Sequence, residues 1–201
     1  MNSLSAEYGT TADGLMAARA GQLALIAVPC SDGQGLWIVT AAPGSKPIGQ
    51  WCRADGFGFG ERIADADGFR AHVDACLEHL RQCQALARVE VLLCATTPWG
   101  SSQRATRYAE GIIFYSTASH GGFHLDPERN AAMPDALRLP NGWYEEDADW
   151  ALVATGYPQL FTDQERRMAE RSLPGGGRVP GRRSMAVRLA PNSRSAELCK
   201  V

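Results

Sequence analysis

The sequence predicts an α+β fold with a mostly antiparallel sheet. Three observations carry the prediction. Short apolar runs of strand length recur through the chain and are bounded by turn residues. One long stretch repeats its apolar residues with helical period. The second half carries several helix-start signals. Strands grouped on either side of a helix, rather than alternating with helices, point away from a parallel sheet.

The elements follow in order. Residues 1–20 read as a loose lead-in. QLALIAVP (22–29) and GLWIVTAA (35–42) read as two strands joined by the turn SDGQG (31–35), a hairpin. Pro43, Gly44 and Pro47 end the second strand, and Trp51, Phe57 and Phe59 mark a further extended segment facing a core. The long amphipathic helix is expected over 67–86. There Phe69, Val73, Cys76, Leu77, Leu80 and Cys83 form one stripe, with Arg70, Asp74, Glu78 and Arg81 opposite. Asp65 and Asp67 both offer a capping oxygen. His72 and His79 share a side of this helix and read as surface or boundary residues.

RVEVLLCATT (88–97) reads as a buried strand, PWGSS (98–102) as a turn, and GIIFYST (111–117) as another strand. The C-terminal half is then expected to turn helical. Asp126-Pro127-Glu128 is an N-cap, an N1 proline and an acidic first turn, with Pro134 stopping the helix. A helix is expected from Trp143 to about Thr155, its start marked by Glu145, Glu146, Asp147 and Asp149, where the helix dipole favours negative charge. On it Trp143 and Trp150 would share a core face. Thr162-Asp163-Gln164-Glu165 has capping-box spacing and opens a last helix. The domain reading is a single α+β domain over 20–172 followed by a flexible basic tail over 173–201.

Composition narrows the function classes. With 201 residues, 45% hydrophobic and 21% charged, the chain has the make-up of a globular protein. The apolar runs fall far short of the ~20 residues that cross a bilayer. The stretch MNSLSAEYGTTADG lacks the pattern of a secretory signal, so a cytoplasmic protein without membrane contact is expected. The six cysteines form no CxxC pair, which argues against a zinc ribbon or thioredoxin-like motif. Residues 174–201 hold six basic residues against Glu197, a net +5, which leaves −7 on the rest of the chain. The acidic body disfavours general nucleic-acid binding, while the tail has the charge to contact anionic partners.

The chemistry-bearing stretch is YSTASHGGFHLDPERN (115–130). The strand GIIFYST delivers Ser116, Ser119, His120 and His124 at or past its end. Gly121 and Gly122 permit unusual backbone angles and close approach of a ligand. The candidate site is His120 and His124 as acid/base groups or ligands, Glu146 as an orienting carboxylate, and Ser116, Ser119, Gly121, Gly122 and Arg129 as substrate contacts. A divalent metal such as zinc or manganese would use His120, His124 and Asp126. The spacing counts against it: in an extended strand the two histidines stand about 13 Å apart unless the glycines fold the chain back.

The blocks TPWGSSQ, FYSTASHGGFHLDPERNAAMP and WYEEDADWALVATGYPQLF resemble a family of uncharacterised bacterial domains common on proteobacterial plasmids, phages and other mobile elements. The resemblance covers Thr96 to Phe161. It implies a mobile-DNA setting and brings no catalytic residues with it. Two other functions are open at this point. One is a non-catalytic protein-binding or anti-defence module, with an acidic body and Trp99, Trp143, Tyr144 and Trp150 as anchors. The other is an ADP-ribosyltransferase-like enzyme. For that, Phe114-Tyr115-Ser116-Thr117-Ala118-Ser119 resembles the aromatic-x-Ser-Thr-Ser strand but has Ala118 in place of a serine. Glu145-Glu146-Asp147 would stand for the acidic motif, and Arg53, Arg88 or Arg104 for the upstream arginine.

Overall fold

A computed structural model describes residues 4–58 and 60–173, and these divide into two compact units, the described residues of 4–87 with 162–164 and residues 88–161 with 165–173. Phe59 and the tail from 174 onward, for which a flexible basic extension was expected, lie outside the described residues.

The first unit is built on the apolar run at 23–29. Strand β3 (Leu23–Pro29) pairs antiparallel with β4 (Leu36–Ala41), Ile26 opposite Val39. Before them come β1 (Ala6–Thr10) and β2 (Met16–Ala20); after them come β5 (Gly56–Phe57) and β6 (Arg62–Ile63), both paired to β4. The order is β1-β2-β3-β4-β5, every pairing antiparallel. Both faces of this sheet are covered. Ala18, Ala20, Leu25, Ala27 and Ile38 pack on helix α1 (Ala66–Ala85) through Phe69, Val73 and Leu77, whereas Ala17, Ala24, Ile26, Val39 and Ala41 pack with Ile48 and Trp51. A strand buried on both faces reads as a continuous apolar run, which is why LALIAV does not alternate. Asp65 caps α1, accepting from Gly68 N–H at 2.9 Å.

Two expectations fail here. Residues 6–20 are not a loose lead-in but a hairpin, turned at Thr11–Gly14 where the Thr11 hydroxyl donates to Asp13 and accepts from Leu15 N–H. Its inner positions are alanines, which carry no periodic hydrophobic signal. Trp51 is fully buried, its indole donating to the Lys46 carbonyl, but Phe57 is 58% exposed and faces no core.

The second unit holds a five-stranded antiparallel sheet. Its strands are β7 (Val89–Val91), β10 (Arg104–Ala109), β11 (Ile112–Ser116), β12 (Gly121–Leu125) and β13 (Trp143–Glu145), in the order β13-β12-β11-β10-β7. A small hairpin of β8 (Thr96–Thr97) and β9 (Gly100–Ser101) sits apart from that ladder. Tyr108, Ile112, Phe123, Leu125 and Tyr144 form a core with Met133, with Ala151, Val153 and Ala154 of helix α3 (Trp150–Gly156), and with Tyr157, Phe161 and Ala169. Phe123 is its centre, 4.9 Å from Tyr108, 5.0 Å from Phe114 and 5.7 Å from Phe161 between ring centroids. Helix α2 (Pro127–Ala132) is short, and α4 (Asp163–Ser172) ends the described chain. Arg88 and Glu165 form a bidentate ion pair at 2.9 and 2.6 Å, with the guanidinium 4.2 Å from the Tyr108 ring centroid.

The helix expected from Trp143 to Thr155 is a correction. Trp143–Glu145 is a strand, and helix begins only at Trp150. The acidic run that mimics a helix start makes a turn instead: the Glu145 carboxylate accepts from the N–H groups of Asp147 and Ala148 at 2.8 and 2.9 Å. The C-terminal half is therefore not helical throughout: strands run on to residue 145, with the short helix α2 between β12 and β13. The stretch at 88–97 is likewise not one buried strand. β10 pairs only Val89–Val91, and Leu92 and Leu93 are exposed.

Candidate functional site

The turn between β11 and β12 presents His120. Thr117 clasps its main chain: Thr117 N–H and hydroxyl both donate to the His120 carbonyl, at 2.7 and 2.8 Å, and His120 N–H returns to the hydroxyl at 3.2 Å. With its backbone held, the imidazole stands at the sheet end, 53% exposed, its Nδ1 3.9 Å from Glu145 Oε1. Glu145 is brought there by register, because it pairs with Gly122 across β12–β13. Glu146 follows, its N–H donating to the Gly121 carbonyl at 3.0 Å. His120, Glu145, Glu146 and Asp147 each offer a ligand atom, and these atoms lie within 4.8 Å of one another. Burial raises the Glu146 pKa, Asp147 and Glu145 add to the rise, and His120 opposes it. One imidazole nitrogen and three carboxylates form a mixed N/O donor set suited to zinc or manganese, and equally a proton-transfer pair.

The structure does not bring the sequence-predicted ligand set together. His124 stands within β12, on the sheet face opposite Phe123, its ring 4.3 Å from that of Trp143 and tilted 41° to it. Burial depresses its pKa, with Asp126 opposing. Asp126 lies beyond the far end of β12, where it caps α2 through Arg129 N–H at 2.7 Å. Arg129 is at that end too, its Nε donating to the Glu110 carbonyl at 2.9 Å. Since Ile112 pairs with Leu125 and Ser116 with Gly121, Asp126 and Arg129 are at the opposite end of the hairpin from His120.

The remaining candidates divide. Ser116 ends β11 directly across from Gly121 on one side and Arg104 on the other, and Ser119 is exposed in the turn. Gly121 and Gly122 have ordinary strand geometry, and the space a side chain would need at each is filled by protein. A Cβ on Gly121 would come 2.6 Å from Glu146 Oε2, and one on Gly122 2.3 Å from the Trp99 ring and 2.4 Å from the Tyr144 carbonyl. Of the three arginines, Arg104 is the one beside the serine, while Arg88 is engaged with Glu165 and Arg53 belongs to the first unit. Of the aromatic anchors, Tyr144 is fully buried and Trp150 packs against the core. Trp99 and Trp143 meet edge-to-face at 5.8 Å, and Tyr115 lies 5.7 Å from Trp143.

Sequence reasoning missed Glu145 and Asp147 as partners of His120. Their signal was present as the run EEDAD, but a helix start and a strand-end turn have the same acidic composition.

Among the described residues, no helix is long and apolar enough to cross a membrane. No curated protein and no solved structure matches the chain. Residues 93–175, which contain His120 and the three carboxylates beside it, match a family described as a domain of unknown function (DUF7007).

Proposed function

We propose that the second unit is a small catalytic unit whose site is His120 with Glu145, Glu146 and Asp147, working by acid–base or metal-assisted chemistry. The observation that carries this reading is the approach of all four ligand atoms to within 4.8 Å at one sheet end. His120 is the proton carrier, and Glu145 Oε1 faces its Nδ1. Glu145 Oε2 is already taken by two backbone N–H groups, which fixes the carboxylate and leaves Oε1 for the site. Glu146, with its pKa raised, holds a proton more readily than a free carboxyl and is the acid of the pair. A zinc or manganese ion, where bound, would polarise a substrate oxygen or acidify a water. Arg104, across the strand end from Ser116, supplies positive charge for an anionic substrate. A mobile-DNA setting, implied by the family resemblance, belongs to the same reading.

The test is manganese binding by electron paramagnetic resonance, on the full chain and on His120→Ala and Glu146→Gln. Saturable one-to-one binding that both variants weaken supports the metal-assisted form. Binding that is absent in the full chain removes that form, and the acid–base form then stands on whether any hydrolytic or transfer activity is lost in His120→Ala.

A second reading, a protein-binding module, is favoured by the exposed apolar stretch at Val89, Leu92 and Leu93 on the edge of the sheet. Its mark would be a partner lost in Leu92→Asp while manganese binding is kept. The transferase reading has one geometric counterpart, Arg104 beside Ser116. Binding of a nicotinamide dinucleotide that Arg104→Ala abolishes would favour it.

A further inference from the structure

Helix α1 carries a second group of reactive side chains, in the first unit and apart from the strand-end site. Cys83 Sγ lies 3.6 Å from His79 Nε2, one helical turn away. The other ring nitrogen, Nδ1, lies 2.9 Å from the Thr162 hydroxyl, in the same unit. Thr162 is almost wholly buried, so its hydroxyl is a fixed partner. A nucleophile within reach of a base that is itself oriented by a third group is the arrangement that activates thiols. Gln82 frames the same turn, donating to Glu78 at 3.0 Å and to Asp163 at 2.8 Å. Cys83 is half-buried and so retains a path to small reagents.

We propose that Cys83 is an activated thiol, a site of mixed-disulfide formation with small disulfides, with His79 as its base and Thr162 as the group that orients His79. With Nδ1–H donating to the Thr162 hydroxyl, Nε2 is the ring nitrogen that faces the thiol and takes its proton. The thiolate attacks one sulfur of the disulfide. A new sulfur–sulfur bond forms to Cys83, the reagent's own bond breaks, and the departing thiolate takes the proton from His79. The disulfide is the oxidant, and none other is needed.

The chain provides its own controls. Cys52 and Cys76 are half-buried like Cys83, and Cys94 is exposed. Burial and Glu61 both push the Cys76 thiol pKa up, which makes it a slow reference. The full chain is treated with limiting dithiodipyridine at about pH 6.5, roughly two units below an ordinary thiol's pKa, and each cysteine peptide is quantified by mass spectrometry. Cys83 is expected to be modified ahead of Cys52 and Cys76. His79→Gln, which keeps a polar group toward Thr162 but takes no proton, is expected to slow Cys83 by about threefold or more and leave Cys94 unchanged. That figure follows because each tenfold gain in thiolate is partly offset by lower nucleophilicity, for a net of about threefold. The proposal is overturned if Cys83 lags Cys52 and Cys76 in the unaltered chain, or if a folded His79→Gln reacts at the same rate. Should the variant unfold, all its thiols speed up together, and the order in the unaltered chain decides alone.

Discussion

Gly122→Ala separates two views of the Gly-Gly pair. If these glycines leave room for a ligand, a methyl group at 122 costs the fold little. If they leave room for the protein, it costs much. The added carbon would lie 2.3 and 2.7 Å from two atoms of the Trp99 ring and 2.4 Å from the Tyr144 carbonyl oxygen, against 3.4–4 Å for ordinary contact. The indole can swing aside, since its hairpin is small, but that breaks its edge-to-face contact with Trp143. The carbonyl has no such freedom, because β13 is held to β12 through Gly122↔Glu145, Phe123↔Tyr144 and His124↔Trp143. Overpacking costs about 1–3 kcal/mol and a lost aromatic pair about 0.5–1.5, so roughly 2–4 kcal/mol is expected. For a chain of this size that lowers Tm by about 4–16 °C. The assay is thermal unfolding by circular dichroism together with tryptophan emission, on Gly122→Ala, Trp99→Ala and the pair combined. A smaller cost of Gly122→Ala in the Trp99→Ala background measures the share carried by the indole, and the remainder belongs to the carbonyl. A Gly122→Ala protein within about 0.5 kcal/mol of the unaltered chain, the range of neutral surface changes, refutes the steric argument.

Three further outcomes are expected. Glu146 has a raised folded pKa, so the fold prefers its protonated form and loses that preference as pH rises through and above 4.5; Glu146→Gln should therefore stabilise the protein at neutral pH and lose its advantage in acid below 4.5, read as a difference in Tm across pH. His124 has a depressed folded pKa, so its neutral ring belongs to the fold and stability should fall as pH drops from 6.5 through its lower folded value; its ring proton in NMR should titrate below that of a free histidine, and His124→Phe should flatten this part of the stability profile. Arg88→Ala removes the bidentate partner of Glu165, whose side chain is only 6% exposed, and should cost about 3–5 kcal/mol in urea unfolding, whereas Arg88→Met with Glu165→Leu should recover much of the loss.

Legibility from sequence followed the clarity of the period. The stripe from Phe69 to Leu77 repeats every four residues, and Asp126-Pro127-Glu128 is a helix start with a mechanism, Asp126 accepting from Arg129 N–H. The hairpin at 6–20 was illegible because alanines at 17, 18 and 20 fill its two buried faces without marking either. The strand at Trp143–Glu145 was hidden by the acidic run that starts at its last residue, because the Glu145 carboxylate satisfies N–H groups in a turn as readily as it would in a helix. The site shows the same limit. His120 was visible at the end of an apolar strand, but its neighbours come from the end of β13 and the turn after it, and only strand register brings them to it. Asp126 and Arg129 looked close because they are near in sequence, yet a five-residue strand carried them to the other end of the sheet.

Strand β13 serves three purposes with three residues. Trp143 closes the outer face against His124, Tyr144 seals the core and donates to Asn130 at 2.7 Å, and Glu145 aims a carboxylate at His120. Adjacent strand residues point to opposite faces, so slipping β13 by one position would expose the tyrosine, bury a charge and retract the carboxylate together. Inserting or deleting a single residue in the loop at 138–142 therefore cannot trade the proposed site against stability. It would remove both at once, whereas changes in the exposed turn at 118–119 would move His120 alone.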